Sequence, residues 1–202
     1  MSIRTRRLLL KGSLVVLFLA FAFANLARWH ETGRPVGLGA MLLEAFTAFL
    51  FVIRRPPIVT SGRPLAWISA GLGAFAMLGA RPVANPDAGP FMILELVQLA
   101  GFAIVLVALG ALGRSFGIVA ANRGVKTAGL YSLVRHPAYT GYLISYVGYV
   151  AENPSHRNLL LLLVGTGAQV MRMSEEERML RMDDGYRAYV GRVRRRLIPY
   201  VY

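Results

Sequence analysis

The sequence predicts an all-α, polytopic membrane helix bundle of about six transmembrane helices, with a C-terminal amphipathic lid helix and both termini in the cytoplasm. Three observations carry that expectation: six apolar runs within 202 residues, a one-sided distribution of Arg and Lys between them, and a charged C-terminal segment that keeps helical spacing. Hydrophobic residues make up 55% of the chain and the mean hydropathy is +0.50, a composition suited to lipid. The absence of cysteine excludes disulfides, thiolate metal sites and cysteine nucleophiles, and His30, His136 and His156 are too scattered to suggest a metal cluster. The net charge of +13 does not point to nucleic acid, because the basic residues lie between apolar runs rather than on one face of a soluble domain.

The runs are Leu8 to Ala27, Gly37 to Ile53, Leu65 to Ala84, Phe91 to Gly113, Pro137 to Ala151 and Asn158 to Met171. The first four approach the roughly 20 residues a spanning helix needs, and the last two are short enough to form a helical hairpin. The first is too long for a signal peptide, and Asn25-Leu26-Ala27 is a poor cleavage site, so retention is expected. If these runs alternate across the bilayer, 19 of the 23 Lys and Arg fall on one side, leaving Arg28, Arg34, Arg81 and Arg157 on the other. The positive-inside rule then places both termini in the cytoplasm. The expected location is the bacterial inner (plasma) membrane, with the active site facing the cytoplasm.

A single membrane domain spanning 1–202 is expected, with N-terminal helices over 1–90 and a functional core over 112–202. Arg54-Arg55-Pro56-Pro57 and Asn85-Pro86-Asp87 read as turns between helices. Gly37-x-Gly39 and Gly71-x-Gly73 read as close helix packing, since no strand precedes either pair to make a phosphate loop. Glu44 and Glu95 are acids inside apolar runs, where burying charge is costly and function is the default hypothesis. Glu95 lies one turn inside its run, within reach of the interface. Glu44 is more central, placed either to pair with a neighbouring helix or to touch a substrate.

The second half differs in kind. Residues 114–136 are polar and basic, and after Met171 the chain reads SEEERMLRMDDGYRAYVGRVRRRL. Met179, Met182, Tyr186 and Tyr189 recur at three or four residues, so one face of this segment is expected to lie on the membrane or cap the bundle. Pro137 suits the first position of a helix, which puts His136 at the helix N-terminus, with Arg135 adding charge beside amides that favour an anion. Tyr139 and Tyr142 share a face on which an adenine or ribose can rest. An interfacial aromatic belt with an arginine anchor has the same composition, and the residues alone leave both readings open. Arg172 and Glu176 are four apart, with Glu177 adjacent, so carboxylates emerge where the Arg135-His136 turn is expected. An exposed helix face with a local ion pair is the alternative.

GLYSLVRHPAYTGYL, then RMSEEERML, then YRAYVGRVRRRLIP, with LGRSFGI upstream, resembles the integral membrane methyltransferases typified by isoprenylcysteine carboxyl methyltransferase, a superfamily that includes phospholipid methyltransferases. The resemblance covers about Leu112 to Tyr202. It implies a cytoplasm-facing pocket for S-adenosylmethionine, closed by the C-terminal helix. Arg123, Gly124, Val125, Lys126, Tyr131, His136, Pro137, Ala138, Tyr139, Glu176 and Glu177 are the implied cofactor-binding residues, and Arg172 matches an arginine associated with the methyl acceptor. Two departures stand out: Gly185 abuts Tyr186, and Pro199 is followed by Tyr200 where glycine is common in the family.

Methyl transfer from a sulfonium needs alignment in a water-poor pocket, and no covalent nucleophile. A carboxylate acceptor would be oriented by Arg172 or Arg135, the candidate catalytic residues, whereas an amine would need Glu176, Glu177 or His136 to take a proton. The expected partners are a lipophilic small-molecule or lipid substrate and membrane lipids, with no metal. Two other readings remain open here. One is an NADPH-dependent membrane reductase of the related sterol reductase type. The other is a non-catalytic protein that binds anionic lipid through Arg192, Arg194, Arg195 and Arg196.

Overall fold

The computed structural model describes residues 3–83 and 92–198; Asn85-Pro86-Asp87, Phe91, Pro199-Tyr200 and the side chains of Arg4, Arg6 and Arg7 lie outside the described residues. Seven helices are present among the described residues: α1 (Ile3–Thr32), α2 (Pro35–Ile53), α3 (Pro64–Phe75), α4 (Met92–Leu112), α5 (Pro137–Glu152), α6 (His156–Leu180) and α7 (Asp184–Arg192). Proline opens α2, α3 and α5, where its missing N–H costs nothing. Stretches Leu8–Thr32, Pro35–Ile53 and Met92–Ser115 are long and apolar enough to cross a membrane.

The third apolar run does not fill its expected length. α3 gives way to a 3₁₀ turn, Ala76–Gly79, and then to extended backbone at Ala80. Together these cover roughly 26 Å, somewhat short of a bilayer core of about 30 Å. The cause is tertiary: the buried Asn158 side chain accepts from Arg81 N (3.0 Å) and donates to Arg81 O (2.8 Å), and Asn153 accepts from Val83 N (3.1 Å). Pro82 also disfavours helix at Arg81.

A second departure is at the C-terminal end. The apolar run ending at Met171 and the charged segment after it form one helix, α6, up to Leu180. Met179 is buried, but Met182 is 72% exposed in the turn that follows, so the expected single amphipathic face is split. Asp183 causes the break by capping α7, accepting from Gly185 N (2.9 Å) and Tyr186 N (3.3 Å). A third element was not expected: strands β1 (Val59–Thr60) and β2 (Ala121–Asn122) pair antiparallel, Val59 opposite Asn122. Two residues per strand are too few for a period in sequence, and the pair ties the 54–63 segment to the 113–136 segment.

α1 packs on α2, α4 on α5, and α3 on α6. Adjacent as they are in sequence, α5 and α6 therefore each make their main packing with another helix. Phe51, Leu50, Val105 and Leu109 form the inner core, with Phe18 stacked on Phe51 at 5.4 Å. Glycine permits close approaches of α2 to its neighbours: a Cβ on Gly37 would meet Trp29 Cβ at 2.9 Å, and one on Gly39 would meet Leu99 Cδ2 at 2.7 Å, as close packing requires. Gly71 does not follow that reading, since a Cβ there meets nothing within 4 Å.

The bundle has two distinct poles. At one, Arg34 pairs with Glu95 (3.7 Å) and Glu152, and Arg157 donates to Gly79 O (2.9 Å). At the other, Lys11 reaches Val52 O (2.6 Å), Arg55 N donates to Arg114 O (2.8 Å), Arg63 pairs with Glu175 (2.8 Å), and the 193–197 segment lies across the start of α5.

Candidate active site

A cavity of about 260 Å³ opens at this second pole and runs inward between the helices. By the measure in which one water takes roughly 10–15 Å³, it holds on the order of twenty waters, the scale of a nucleoside-sized ligand. Its mouth is polar and cationic, lined by Arg123, Gly124, Val125, Lys126, Tyr131, Arg135, His136, Ala138, Tyr139, Arg172 and Glu176. Bundle helices add an apolar lining that includes Phe18, Leu43, Met77, Phe102 and Leu109. Pro137 and Glu177 do not line it.

Each group is placed by the local chain. His136 is the N-cap residue of α5, its backbone non-helical at φ −130° and ψ 57°, and its side chain is buried. The backbone amides just before the helix are engaged: Arg135 N donates to Arg195 O and His136 N to Arg196 O, both at 2.9 Å. Thr140 Oγ1 adds a 2.7 Å bond to Leu197 O, so the C-terminal segment closes over the start of α5.

Tyr139, in the first turn of α5, is the hub of the site. Its ring meets His136 edge-on (5.5 Å between centroids), Arg172 sits over it (5.2 Å), and its hydroxyl donates to Glu176 Oε2 at 3.0 Å. Arg172 and Glu176, on one face of α6, thus meet the start of α5 through a single ring. Arg172 also donates to Gly117 O (3.2 Å). The Arg172 and Arg123 Nε atoms, both buried, make no hydrogen bond among the described residues. Burial, with Arg54 adding to it and Glu176 opposing, lowers the Arg123 guanidinium to about 10. Such under-partnered cations favour an anionic ligand group.

Glu177, next along α6, turns the other way. Its Oε1 faces His136 Nε2 (3.1 Å) and Arg135 Nε (2.9 Å), the latter an ion pair without hydrogen-bond geometry, and its Oε2 faces Arg196 (3.2 Å) and Arg181 (3.6 Å).

Some lining residues carried no role in the sequence reading. Gly117 is one: a Cβ there would meet the Arg123 guanidinium at 2.4 Å, so glycine lets that side chain lie flat on the backbone. Its place in LGRSFGI was the available signal. Tyr189 donates to Tyr131 O at 2.6 Å, and Tyr186 also lines the cavity, so α7 is part of the wall and not only a surface lid. Tyr146 also lines the cavity, together with Glu44, for which the sequence had left a helix partner and a substrate contact both open; the two are far apart in sequence and brought together only by the bundle.

No curated protein matches the chain. The family model for phospholipid methyltransferase matches residues 91–186, a span that runs from α4 through the start of α7 and so contains both sides of the Tyr139 hub. The match takes in the cavity's polar mouth, so over residues 91–186 the chain is similar to the phospholipid methyltransferase family, within the superfamily of membrane methyltransferases.

Proposed function

We propose that the protein transfers a methyl group from S-adenosylmethionine to a lipophilic acceptor at the cytoplasmic face of the membrane. The observation that carries this reading is that one continuous cavity joins a cation-rich polar mouth to an apolar interior lined by α2, α4 and α5. The residues present suit the methyl donor. Arg123 and Arg172 offer buried N–H groups for a carboxylate, Glu176 suits an amino or hydroxyl group, and Tyr131, Tyr139 and Tyr189 offer ring faces and edges to an adenosine. When bound, that donor supplies an electrophilic methyl group on a sulfonium. The chain itself aligns the partners and excludes water, with Tyr139 held between Arg172 and Glu176 so that the wall is ordered before any ligand arrives.

Calorimetry on detergent-solubilised protein tests the reading. S-adenosylmethionine is expected to bind and NADPH not. Glu176→Ala and His136→Ala are each expected to weaken donor binding about tenfold or more while circular dichroism and expression stay unchanged. NADPH binding in its place, or unchanged affinity in both variants, would count against it.

A further inference from the structure

Three carboxylates stand in or at the ends of the apolar helices α2, α4 and α5, and two of them have evident structural employment. Glu95 accepts from Val36 N (2.9 Å) and faces Arg34, which ties the start of α2 to α4. Glu152 accepts from Gln98 (2.7 Å) and pairs with Arg34. Glu44, in the middle of α2, makes no hydrogen bond or ion pair with any described residue, and it is half-buried where it lines the cavity. Thr47, one turn on, cannot serve it as donor without giving up its own 2.8 Å bond to Leu43 O.

An acid inside a membrane with no partner is costly, and a cation or a protic group is what relieves that cost. The wall around Glu44 suits a cation. Tyr142 and Tyr146, one turn apart on α5, stack at 5.9 Å and line the same cavity, and Tyr142 lies within electrostatic reach of Glu44. Aromatic faces beside a carboxylate attract an ammonium and repel a second carboxylate. Phe102 from α4 and Met77 and Leu78 after α3 line the same cavity without charge, and the cation within electrostatic reach of the two tyrosines is Arg172, which Glu44 opposes there and Glu176 opposes at Tyr139.

We infer that Glu44, with Tyr142 and Tyr146, forms the subsite that receives the nucleophilic amine of the acceptor, and that Glu44 takes the proton this amine gives up; the inference rests on the methyltransferase reading above. The balance is closed. An ammonium passes one N–H proton to the Glu44 carboxylate, which becomes a carboxylic acid. The freed nitrogen lone pair forms the new N–C bond as the C–S bond of the methyl donor breaks, and the electron pair of that bond stays on sulfur as a neutral thioether. Glu44 is thereby a catalytic residue 132 positions before Glu176, on a different helix and outside the segment matched by the family.

The test uses the full-length chain in nanodiscs. A photoreactive long-chain primary amine, with no methyl donor present, is expected to cross-link to the wild type, and Glu44→Gln is expected to cut labelling about tenfold. With labelled donor, methylation of a long-chain primary amine is expected to fall about 100-fold in Glu44→Gln and to recover in part in Glu44→Asp. Calorimetric affinity for the donor is expected to be the same in all three, which separates loss of the subsite from loss of fold. Wild-type levels of labelling and methylation in Glu44→Gln would overturn the inference. So would a wild type that leaves the amine untouched, or that methylates the matching long-chain carboxylic acid in its place, with the methyltransferase reading intact in the last case. A wild type that binds no donor would remove both.

Discussion

Three successive carboxylates on α6 point in three directions because neighbouring residues on a helix are about 100° apart. Glu175 pairs with Arg63 before α3, Glu176 meets Tyr139 in the cavity, and Glu177 is enclosed by Arg135, His136, Arg196 and Arg181. The sequence reading gave Glu176 and Glu177 one shared role, and geometry separates them: Glu177 fastens the C-terminal segment to the start of α5. Its charge responds accordingly. Burial pushes its carboxyl up, but the hydrogen bond and charge of His136, with Arg135 and Arg196, outweigh that and hold it down to about 2. A carboxyl depressed in the folded state contributes stability that is fully present above its unfolded value, about 4.5, and is lost as pH falls toward 2. The thermal midpoint in detergent is therefore expected to drop between about pH 4.5 and 2. Glu177→Gln should lower the midpoint at pH 7 and flatten that acid limb; an acid limb of unchanged slope in the variant would show that the stabilising charge lies elsewhere.

Among the helices, α4 and α5 make the closest approach, and two glycines permit it. A Cβ on Gly101 would stand 2.2 Å from Ser145 Oγ and 2.6 Å from Gly141 O, and one on Gly141 would stand 2.7 Å from Gly101 O. The obstacle is partly backbone, which cannot swing aside as a side-chain tip does. Gly101→Ala is expected to destabilise by about 1–3 kcal/mol and to weaken donor binding too, because α5 carries Tyr139. Gly71→Ala, where the new methyl meets open space, is expected to be neutral or to stabilise by roughly 0.5–1 kcal/mol through helix propensity. Thermal unfolding of the two variants side by side checks both, and equal midpoints would refute the packing argument. The same elements show what could be read from the chain alone. α1, α2 and α4 follow from apolar length, and the starts of α2, α3 and α5 from Pro35, Pro64 and Pro137, because those signals are local. The early end of α3 was illegible: it depends on Asn158, some 77 residues away, which satisfies both backbone groups of Arg81. The cavity was half legible, in that the Arg135-to-Tyr139 turn and Arg172-Glu176 are motifs. Glu44 and Tyr146 join them only through helix packing.

At the scale of the whole molecule, the charge asymmetry that suggested topology has a physical counterpart in the two poles. Arg54, Arg55, Arg63, Arg114, Arg123 and Lys126 follow or precede helix ends at the cavity pole, whereas Arg34, Arg81 and Arg157 belong to turns at the opposite pole, where Arg34 is paired with two carboxylates. Three helices are long and apolar enough to cross a membrane, whereas α3 with its 3₁₀ turn falls short of a full bilayer core and the 16 residues of α5 cover only roughly 24 Å. Which pole faces the cytoplasm is open to direct measurement, because a chain without cysteine accepts single reporters cleanly. Glu31→Cys, exposed in the last turn of α1, marks the pole opposite the cavity, and Thr127→Cys, exposed in the loop before Tyr131, marks the cavity pole. In intact bacterial spheroplasts a membrane-impermeant maleimide is expected to label position 31 at once and position 127 only after permeabilisation. The reverse order would place the cationic mouth outside the cell, away from an intracellular methyl donor, and would defeat the proposed function whatever the affinity of the isolated protein.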